Sequence, residues 1–393
     1  MADVSALDTA LDTALDTDVL IVGAGPTGMS AAIALLQDGV AVTIIDAQAA
    51  SAHTSRAAVI HAATLEALAP LGVTPLLTAI GMDATRFTVR DRDRVLLQLD
   101  FGALPSAYPY ALMLSQADTE QAMLGRLHHL GGTVLRPRSL RSLAQDAHGV
   151  TAMLDDGCAV RARYVVGADG LHSTVREQAG IAFEGHAYPE SFALADVAMA
   201  SDFSAHEIRL YFSPAGMMVV APLPGHVWRI VATVDNAPEQ PGPGFVQNLL
   251  DQRGPQAQRA RVEQVVWGSR FHVHHRIAGA FRKGRVFLAG DAAHVHSPAG
   301  GQGMNTGIQD GVMLGSLLGK ALRTNEAAVL DAYQAARRPV AQRVMRLADR
   351  LTRLATVAPS LRQPRNGVLR MLARMPGLRQ ALSMEMSGLV NRL

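Results

Sequence analysis

The feature that most constrains this chain is the turn Gly23-Ala24-Gly25-Pro26-Thr27-Gly28, set between an apolar run and a helical one. Asp18 to Val22 has the strand character that precedes it. Met29 to Gln37 reads as a helix, with Gly39 as its stop signal. Ala41 to Ile45 is a second apolar, β-branched run that ends at Asp46. A strand, a glycine turn, a helix and a second strand imply a βαβ unit and a parallel sheet. Each glycine has a physical task. Gly23 permits the tight turn, Gly25 lets the backbone approach a pyrophosphate, and Gly28 allows close helix–strand packing. The helix N-terminus offers N–H groups and partial positive charge to the phosphates. Asp46 stands 18 residues after Gly28, where a carboxylate can accept hydrogen bonds from a ribose 2′-hydroxyl. The same carboxylate would repel a 2′-phosphate, so NADP is disfavoured in this particular site. The turn alone does not separate NAD from FAD.

Composition limits the rest. A length of 393 residues and 49% hydrophobic content fit a globular protein of two or three domains. The net charge of +2 comes without a long basic run or basic–aromatic stripe, so no nucleic-acid partner is expected. Cys158 is the only cysteine, which rules out an internal disulfide and fits a reducing compartment. No run of about 18 uncharged apolar residues suggests a spanning helix, and no stable membrane insertion is expected. The N-terminus lacks a signal-peptide pattern and repeats Ala-Leu-Asp-Thr from Ala6 to Thr17, so residues 1–17 are expected to form a flexible tail. The expected location is cytoplasmic. The sequence leaves the oligomeric state open.

Further along, Thr85 to Leu99 alternates like an antiparallel strand pair, and Asp118 to Leu130 is helical in character. Val134 to Val165 reads as a meander, Phe192 to Val234 is strand-rich, and Pro238 to Gly244 is a Pro/Gly loop. Past Thr306 the chain reads as helix, interrupted near Pro359, Pro364 and Pro376. The expected fold class is α/β, a Rossmann-like nucleotide-binding domain with an inserted, mostly antiparallel β-sheet substrate domain and C-terminal helices. Residues 18–75, 106–180 and 276–340 would form the nucleotide-binding domain. Residues 76–105 and 181–275 would build the second sheet, and 341–393 the C-terminal helices.

The segment Gly284 to His294 runs from a strand into a turn at Gly290-Asp291, followed by Ser297-Pro298-Ala299-Gly300-Gly301-Gln302-Gly303-Met304-Asn305. A glycine-rich loop that opens a helix can wrap a planar ring and aim the helix N-terminus at developing negative charge. A reduced flavin, anionic at its N1/O2 edge, suits that arrangement. Together with Gly23–Gly28 and Tyr164-Val165-Val166-Gly167-Ala168-Asp169-Gly170, extending to Arg176, this segment resembles the class A flavoprotein aromatic hydroxylases, the para-hydroxybenzoate hydroxylase family. The resemblance spans roughly residues 18 to 340.

The resemblance implies FAD as cofactor, with NADPH or NADH as a transient cosubstrate and O2 as the oxidant. An oxygen atom would pass from a flavin C4a-hydroperoxide to a small aromatic (phenolic) or polyketide-like substrate. It implies that Gly290-Asp291 meets the ribityl chain and pyrophosphate, and that Asp169-Gly170 serves both FAD and nicotinamide. Pro298 and Gly300, Gly301, Gly303, Met304 and Asn305 would lie near the ring. Pro26 and Thr27 lie in the first FAD-binding turn, and Arg56 and Gln116 are implied as further FAD contacts. The chain departs from the family pattern at Ala63, where an arginine is frequent. No thioredoxin-like C-terminal domain, as in larger relatives such as phenol hydroxylase, is expected. Other readings are a flavin epoxidase or drug-modifying monooxygenase, a non-oxygenating flavin reductase, or a ligand-binding flavoprotein. A halogenase is disfavoured because Trp228 and Trp267 stand alone.

A phenolic substrate reacts faster once deprotonated, and His272, His274, Tyr211 and Tyr108 are candidates for that proton by type and position. His272 and His274 share a strand face, but no Cys or carboxylate stands at helpful spacing, so no metal is assigned. Cys158 reads as a semi-exposed structural residue.

Overall fold

The computed structural model describes residues 15–393 apart from 51–56, 214, 299 and 356. The chain begins with β1 (Leu15–Val22), α1 (Pro26–Gln37) and β2 (Val42–Ile45). Then come β3 (Val59–Ile60), α2 (Ala62–Leu68), α3 (Thr74–Thr78), β4 (Met82–Ala84), β5 (Arg86–Asp91), β6 (Arg94–Asp100) and β7 (Ala111–Met113). Next are α4 (Gln116–His129), β8 (Val134–Leu135), β9 (Leu140–Gln145), β10 (Val150–Leu154), β11 (Ala159–Gly167) and α5 (Thr174–Gln178). The middle of the chain holds β12 (Phe183–Ala200), β13 (Glu207–Ser213), β14 (Gly216–Leu223), β15 (Val227–Val234), α6 (Pro243–Arg253) and β16 (Arg261–Ala278). It ends with β17 (Arg282–Lys283), β18 (Val286–Leu288), β19 (His294–Val295), α7 (Gly303–Thr324), α8 (Asp331–Ala355), α9 (Arg362–Leu372) and α10 (Pro376–Met386). Among the described residues no helix is long and apolar enough to cross a membrane.

The first sheet runs β17-β18-β11-β1-β2-β8, with β10 and β9 attached to β11. Strands β18, β11, β1, β2 and β8 are parallel, as the βαβ reading requires. Residues Val19 to Val22 of β1 are all buried, the continuous apolar run of a strand covered on both faces. The strand starts at Leu15, earlier than the sequence suggested, because Leu15, Asp16 and Thr17 pair with Val160, Arg161 and Ala162 of β11.

The second sheet runs β19-β16-β12-β15-β14-β13-β5-β6. It is antiparallel except where β13 lies parallel to β5. Strand β12 leaves the first sheet after α5 and β16 returns to it at Ala278; the two pair along most of their length. One face of this sheet packs Phe192, Leu210, Phe212 and Met217 against Ala355, Met386 and Leu389 of the C-terminal segment. The other face packs Tyr211, Met218 and Trp228 against Val246, Leu249 and Leu250 of α6.

Helix α6 is absent from the sequence reading, which stopped at the Pro/Gly loop. Its buried residues Val246, Leu249, Leu250 and Arg253 follow a helical period, and Pro243 occupies its first turn, where no N–H is needed. Pro364 likewise sits in the first turn of α9, and Pro339 lies inside α8 without ending it.

Helix α7 lies along α1 through a row of glycines. A Cβ at Gly307 would stand 2.4 Å from Thr27 Oγ1, one at Gly311 2.3 Å from Thr27 O, and one at Gly315 2.7 Å from Ala31 O. A row at every fourth residue is one ridge of the helix, so removing its side chains lets the two axes close in. Contacts advance together along both helices, which are therefore parallel, with their N-termini at the same end.

Gly311→Ala is expected to destabilise the protein by about 1–3 kcal/mol, since the backbone of α1 must give way. Gly125→Ala, on an exposed helical position where a Cβ meets nothing within 4 Å, is expected to stabilise it by about 0.5–1 kcal/mol. Urea unfolding of both variants reads the two signs, and equal effects would contradict the ridge packing.

Candidate active site

Four parallel strands deliver their carboxyl ends to one edge. There Val22 leads into Gly23, Ile45 into Asp46, Gly167 into Ala168 and Leu288 into Ala289. Backbone bonds stitch these ends together. Gly23 donates to Ile45 O at 2.8 Å, Ala168 to Val22 O at 2.8 Å, and Ala289 to Gly167 O at 2.9 Å. Gly23 has φ +102, and a Cβ there would lie 2.3 Å from Ala168 O. A Cβ on Gly290 would lie 2.5 Å from Thr27 Oγ1. The three glycine motifs therefore touch, and no side chain fits between them.

Gly25 caps α1 without a side-chain hydrogen bond, and Pro26 follows at the first helical position. A Cβ at Gly25 would stand in open space, whereas one at Gly28 would meet Gly23 O at 1.9 Å. The first turn of α1 thus presents N–H groups beneath a clear approach, which is the geometry a pyrophosphate needs. Asp46 accepts from Ala24 N at 2.7 Å and Gln48 N at 2.8 Å, with Arg136 Nη2 at 3.7 Å. Each carboxylate oxygen keeps a lone pair for a ribose hydroxyl. Arg136 went unnoticed in the sequence, being 90 residues downstream and brought in by the β2–β8 pairing.

Asp169 accepts from Val175 N at 3.0 Å through Oδ2, while its Oδ1 is buried with no hydrogen-bond partner. Burial raises its pKa, opposed by the hydrogen bonds it accepts. Gly170, with φ +77, borders open space. Arg176 Nη2 donates to Leu171 O at 2.9 Å and Nη1 to Ala292 O at 3.0 Å, tying this motif to the Gly290–Ala292 turn. Asp291 is exposed in that turn.

Behind the turn lies a buried triad. Asp310 of α7 accepts from Arg337 Nε at 2.6 Å, lies 2.7 Å from His294 Nε2, and accepts from Gly290 N at 3.2 Å. Arg337 and His294 hold the Asp310 carboxyl below its ordinary pKa despite complete burial. The sequence offered no sign of this triad, whose members come from three separate elements.

The loop from Pro298 to Asn305 is folded by its own polar groups. Gly301 N donates to Pro298 O at 2.9 Å, and Gly300 and Gly301 have φ +87 and +63. Asn305 accepts from His61 N at 2.8 Å and donates to Val59 O at 2.9 Å and Gly301 O at 2.8 Å. His61 Nε2 lies 2.9 Å from Gly300 O. Burial lowers the pKa of His61 and of His296 to about 4. His61 Nδ1 and His296 Nε2 are buried without a hydrogen-bond partner. The ring of His296 lies about 4 Å from where a Cβ on Gly303 would stand. Buried orphan polar atoms at a loop that opens a helix are what a polar planar ligand would satisfy.

Ala63 is explained by its neighbours. It donates to Ser387 O at 3.2 Å, and a Cβ on Gly388 would come within 3.4 Å of its methyl group. The C-terminal turn occupies the space an arginine would need.

The structure thus gathers Gly23, Gly25, Pro26, Thr27, Gly28, Asp46, Asp169, Gly170, Gly290, Asp291, Pro298, Gly300, Gly301, Gly303, Met304 and Asn305 along one edge and its adjoining loop. Gln116 joins through Ala57, donating to Ala57 O at 3.1 Å, while Arg56 lies outside the described residues. Tyr211 is not brought here. It alternates with Leu210 and Phe212 on β13 and so points to the α6 face, where burial pushes its pKa up to about 12. By the same alternation His274 lies on the face opposite Phe271 and His275. The side chain of His272 lies outside the described residues. Tyr108 sits edge-on to Tyr110, ring centroids 6.4 Å apart, in the segment before β7.

Two outcomes follow for stability. Between pH 6.5 and about 4 the unfolded chain protonates histidines that folded His61 and His296 keep neutral. Stability is therefore full above pH 6.5 and falls toward pH 4, by on the order of 3 kcal/mol for each histidine. Urea melts at several pH values should show this slope, and a His61→Gln/His296→Gln variant should flatten it. Arg337→Met should cost about 3–5 kcal/mol, because it strands the Asp310 charge in the interior. A loss under 1 kcal/mol would mean the triad is not holding the turn.

A family model of the FAD binding domain matches residues 16–348. The chain is 39% identical over 354 residues to 6-methylpretetramide 4-monooxygenase of Streptomyces rimosus, covering 88% of this chain and 62% of that one. It is 35% identical to pentachlorophenol 4-monooxygenase of Sphingobium chlorophenolicum, covering 83% and 63%. The chain therefore spans less than two thirds of the length of these two relatives. Among solved structures, p-nitrophenol 4-monooxygenase of Pseudomonas putida superposes with a TM-score of 0.86 at 25% identity, covering 96% of this chain and all of that one. Three glycine motifs meeting at one strand edge, a match across most of the chain and this shared fold make the protein a member of the FAD binding domain family, the class A flavoprotein hydroxylases it resembles in sequence.

Proposed function

We propose that the protein is an FAD-dependent monooxygenase of the cytoplasm that uses NADH or NADPH and O2 to hydroxylate a small phenolic or polyketide-like compound. The observation that carries this reading is the convergence of the three glycine turns on one edge, beside an apolar sheet face. In it, the first turn of α1 and Gly25 hold the pyrophosphate and Asp46 the adenosine ribose. Asp291 meets the ribityl chain, and Arg56 and Gln116 add further contacts. Asp169 and Gly170 serve the cofactor and the visiting nicotinamide. Pro298 and the Gly300–Asn305 loop would hold the ring, where the N-terminus of α7 favours negative charge.

When bound, the flavin supplies the redox chemistry, accepting hydride from the nicotinamide and activating O2. The protein's part is to place the substrate and keep water out. Residues 76–105 and 181–275 are read as the substrate-binding region. Phe192 and Phe271, stacked with ring centroids 5.4 Å apart, belong to the apolar layer that Met386 and Leu389 help to close. Neutral His61 and His296 flank the loop without adding charge. The named relatives are monooxygenases of 6-methylpretetramide, pentachlorophenol and p-nitrophenol. The 39% identity to the 6-methylpretetramide enzyme supports a polyketide-modifying monooxygenase as the second reading.

The purified protein is expected to be yellow, and a phenol or polycyclic aromatic compound should accelerate NAD(P)H oxidation and O2 uptake, with product heavier by one oxygen atom. A colourless protein that cannot be reconstituted with FAD would end this reading. Gly25→Val should lose at least about tenfold in FAD affinity, because its branched side chain enters the open approach over α1; unchanged FAD content would refute the placement of the pyrophosphate.

A further inference from the structure

Helix α9 sets Leu369 against the apolar layer of the second sheet, yet it also buries polar side chains and leaves apolar ones outside. Helix α9 turns Arg365 and Asn366 inward, both buried. Arg365 donates to Leu354 O at 2.9 Å and Phe212 O at 3.1 Å, and Asn366 donates to Asp91 Oδ2 at 2.8 Å. Outward it shows Pro364, Val368 and Met371, at steps of four and three residues on one helix face, flanked by exposed Leu361 before the helix and Met375 after it. Leu361 is 57% exposed, Val368 50%, Met371 61% and Met375 54%. On α8 just upstream, the exposed residues Arg343, Arg346, Arg350 and Arg353 follow the same spacing; Arg343 donates to Asn391 and Arg353 pairs with Asp349 at 2.9 Å, both at the surface. Residues 341–393 hold ten arginines and no lysine against two acids, Asp349 and Glu385, in a chain whose total charge is +2.

An exposed apolar stripe of this length is not neutral to stability or solubility and marks a contact surface. Its charge surroundings select the occupant. A second copy of this chain would bring together two C-terminal segments that each carry ten arginines against two acids. A protein partner would need an acidic groove shaped to a convex helix. An anionic bilayer surface needs only apolar side chains to enter the headgroup region and cations beside them to meet the lipid charge. We propose that the outer face of α8 and α9 is a docking surface for an anionic membrane, on which the protein sits peripherally, without a spanning helix. The inference does not rest on the flavin reading, since none of these residues belongs to the cofactor edge.

The test is co-sedimentation of the full chain, as purified with its cofactor, with vesicles of phosphatidylcholine containing about 30% phosphatidylserine or of phosphatidylcholine alone. Binding to the anionic vesicles is expected to be at least about tenfold tighter, and to weaken sharply between about 0.1 M and 1 M salt. Val368→Asp/Met371→Asp should abolish it, and Arg346→Glu/Arg350→Glu should weaken it without touching the stripe. Circular dichroism and the flavin spectrum of both variants should match the parent. Absence of anionic-vesicle binding, or undiminished binding by Val368→Asp/Met371→Asp, overturns the proposal. So does sedimentation equilibrium showing a parent dimer that these aspartates dissociate, since the stripe would then be covered by a second copy.

Discussion

The close approach of backbone to backbone at the carboxyl edge of β18, β11, β1 and β2 is the constraint from which the remaining architecture follows. Gly23 against Ala168 and Gly290 against Thr27 leave no room for a side chain, so the three turns share one small volume. Such contacts persist only if the elements behind them are held rigidly. The glycine ridge of α7 answers that need by letting it lie on α1 in parallel, which puts two helix N-termini at the same edge. Parallel helix dipoles side by side repel one another modestly, and the arrangement becomes favourable where an anion lies at their common end. The buried Asp310 extends the same logic. One carboxylate engages the Gly290 N–H, the His294 ring and the Arg337 guanidinium, tying α7, α8 and the third turn together.

What the sequence disclosed and what it hid divide along a physical line. The glycine turns were legible because their chemistry is local: a tight turn, a clear approach and a packed helix start are all encoded within a few residues. Asp46 was legible through its fixed spacing from the turn. Arg136, Asp310 and Arg337 were not, because each acts through partners far away in the chain, and a buried ion pair looks like any two charges until the fold joins them. Helix α6 was hidden by the Pro-Gly start that in fact caps it, although Val246, Leu249 and Leu250 carry a helical period. Tyr211 shows how narrowly a strand residue can be misread. Its neighbours Leu210 and Phe212 belong to the face shared with the C-terminal helices, and a shift of one residue moves a side chain to the other side of the sheet.

The departure at Ala63 shows how one small residue and a distant segment depend on each other. An arginine there would occupy the space where Gly388 and Ser387 now pack. The same segment places Met386 and Leu389 in the apolar layer over the second sheet, and Gln302 donates to Met386 O at 2.8 Å. The C-terminal turn is therefore bound to the start of α7 and to the apolar sheet face at once. Whatever occupies that face is bounded partly by a segment whose sequence carries no motif, which is why the substrate could not be read from residues 181–275 alone.

Helix α9 raises a more general point about pattern reading. Hydrophobic periodicity locates a helix correctly but does not say which face turns inward. Here the buried side includes Arg365 and Asn366, which donate to the carbonyls of Leu354 and Phe212 and to the Asp91 carboxylate. The guanidinium also stacks over the Phe212 ring at 4.5 Å, so the arginine serves as both hydrogen-bond donor and packing surface. These donors share the inward side with Leu369, while Val368 and Met371 face outward. The exposed stripe therefore lies on the side of α9 opposite its anchoring contacts. Its exposure within a segment of ten arginines and two acids is the feature that calls for an apolar and anionic counterpart.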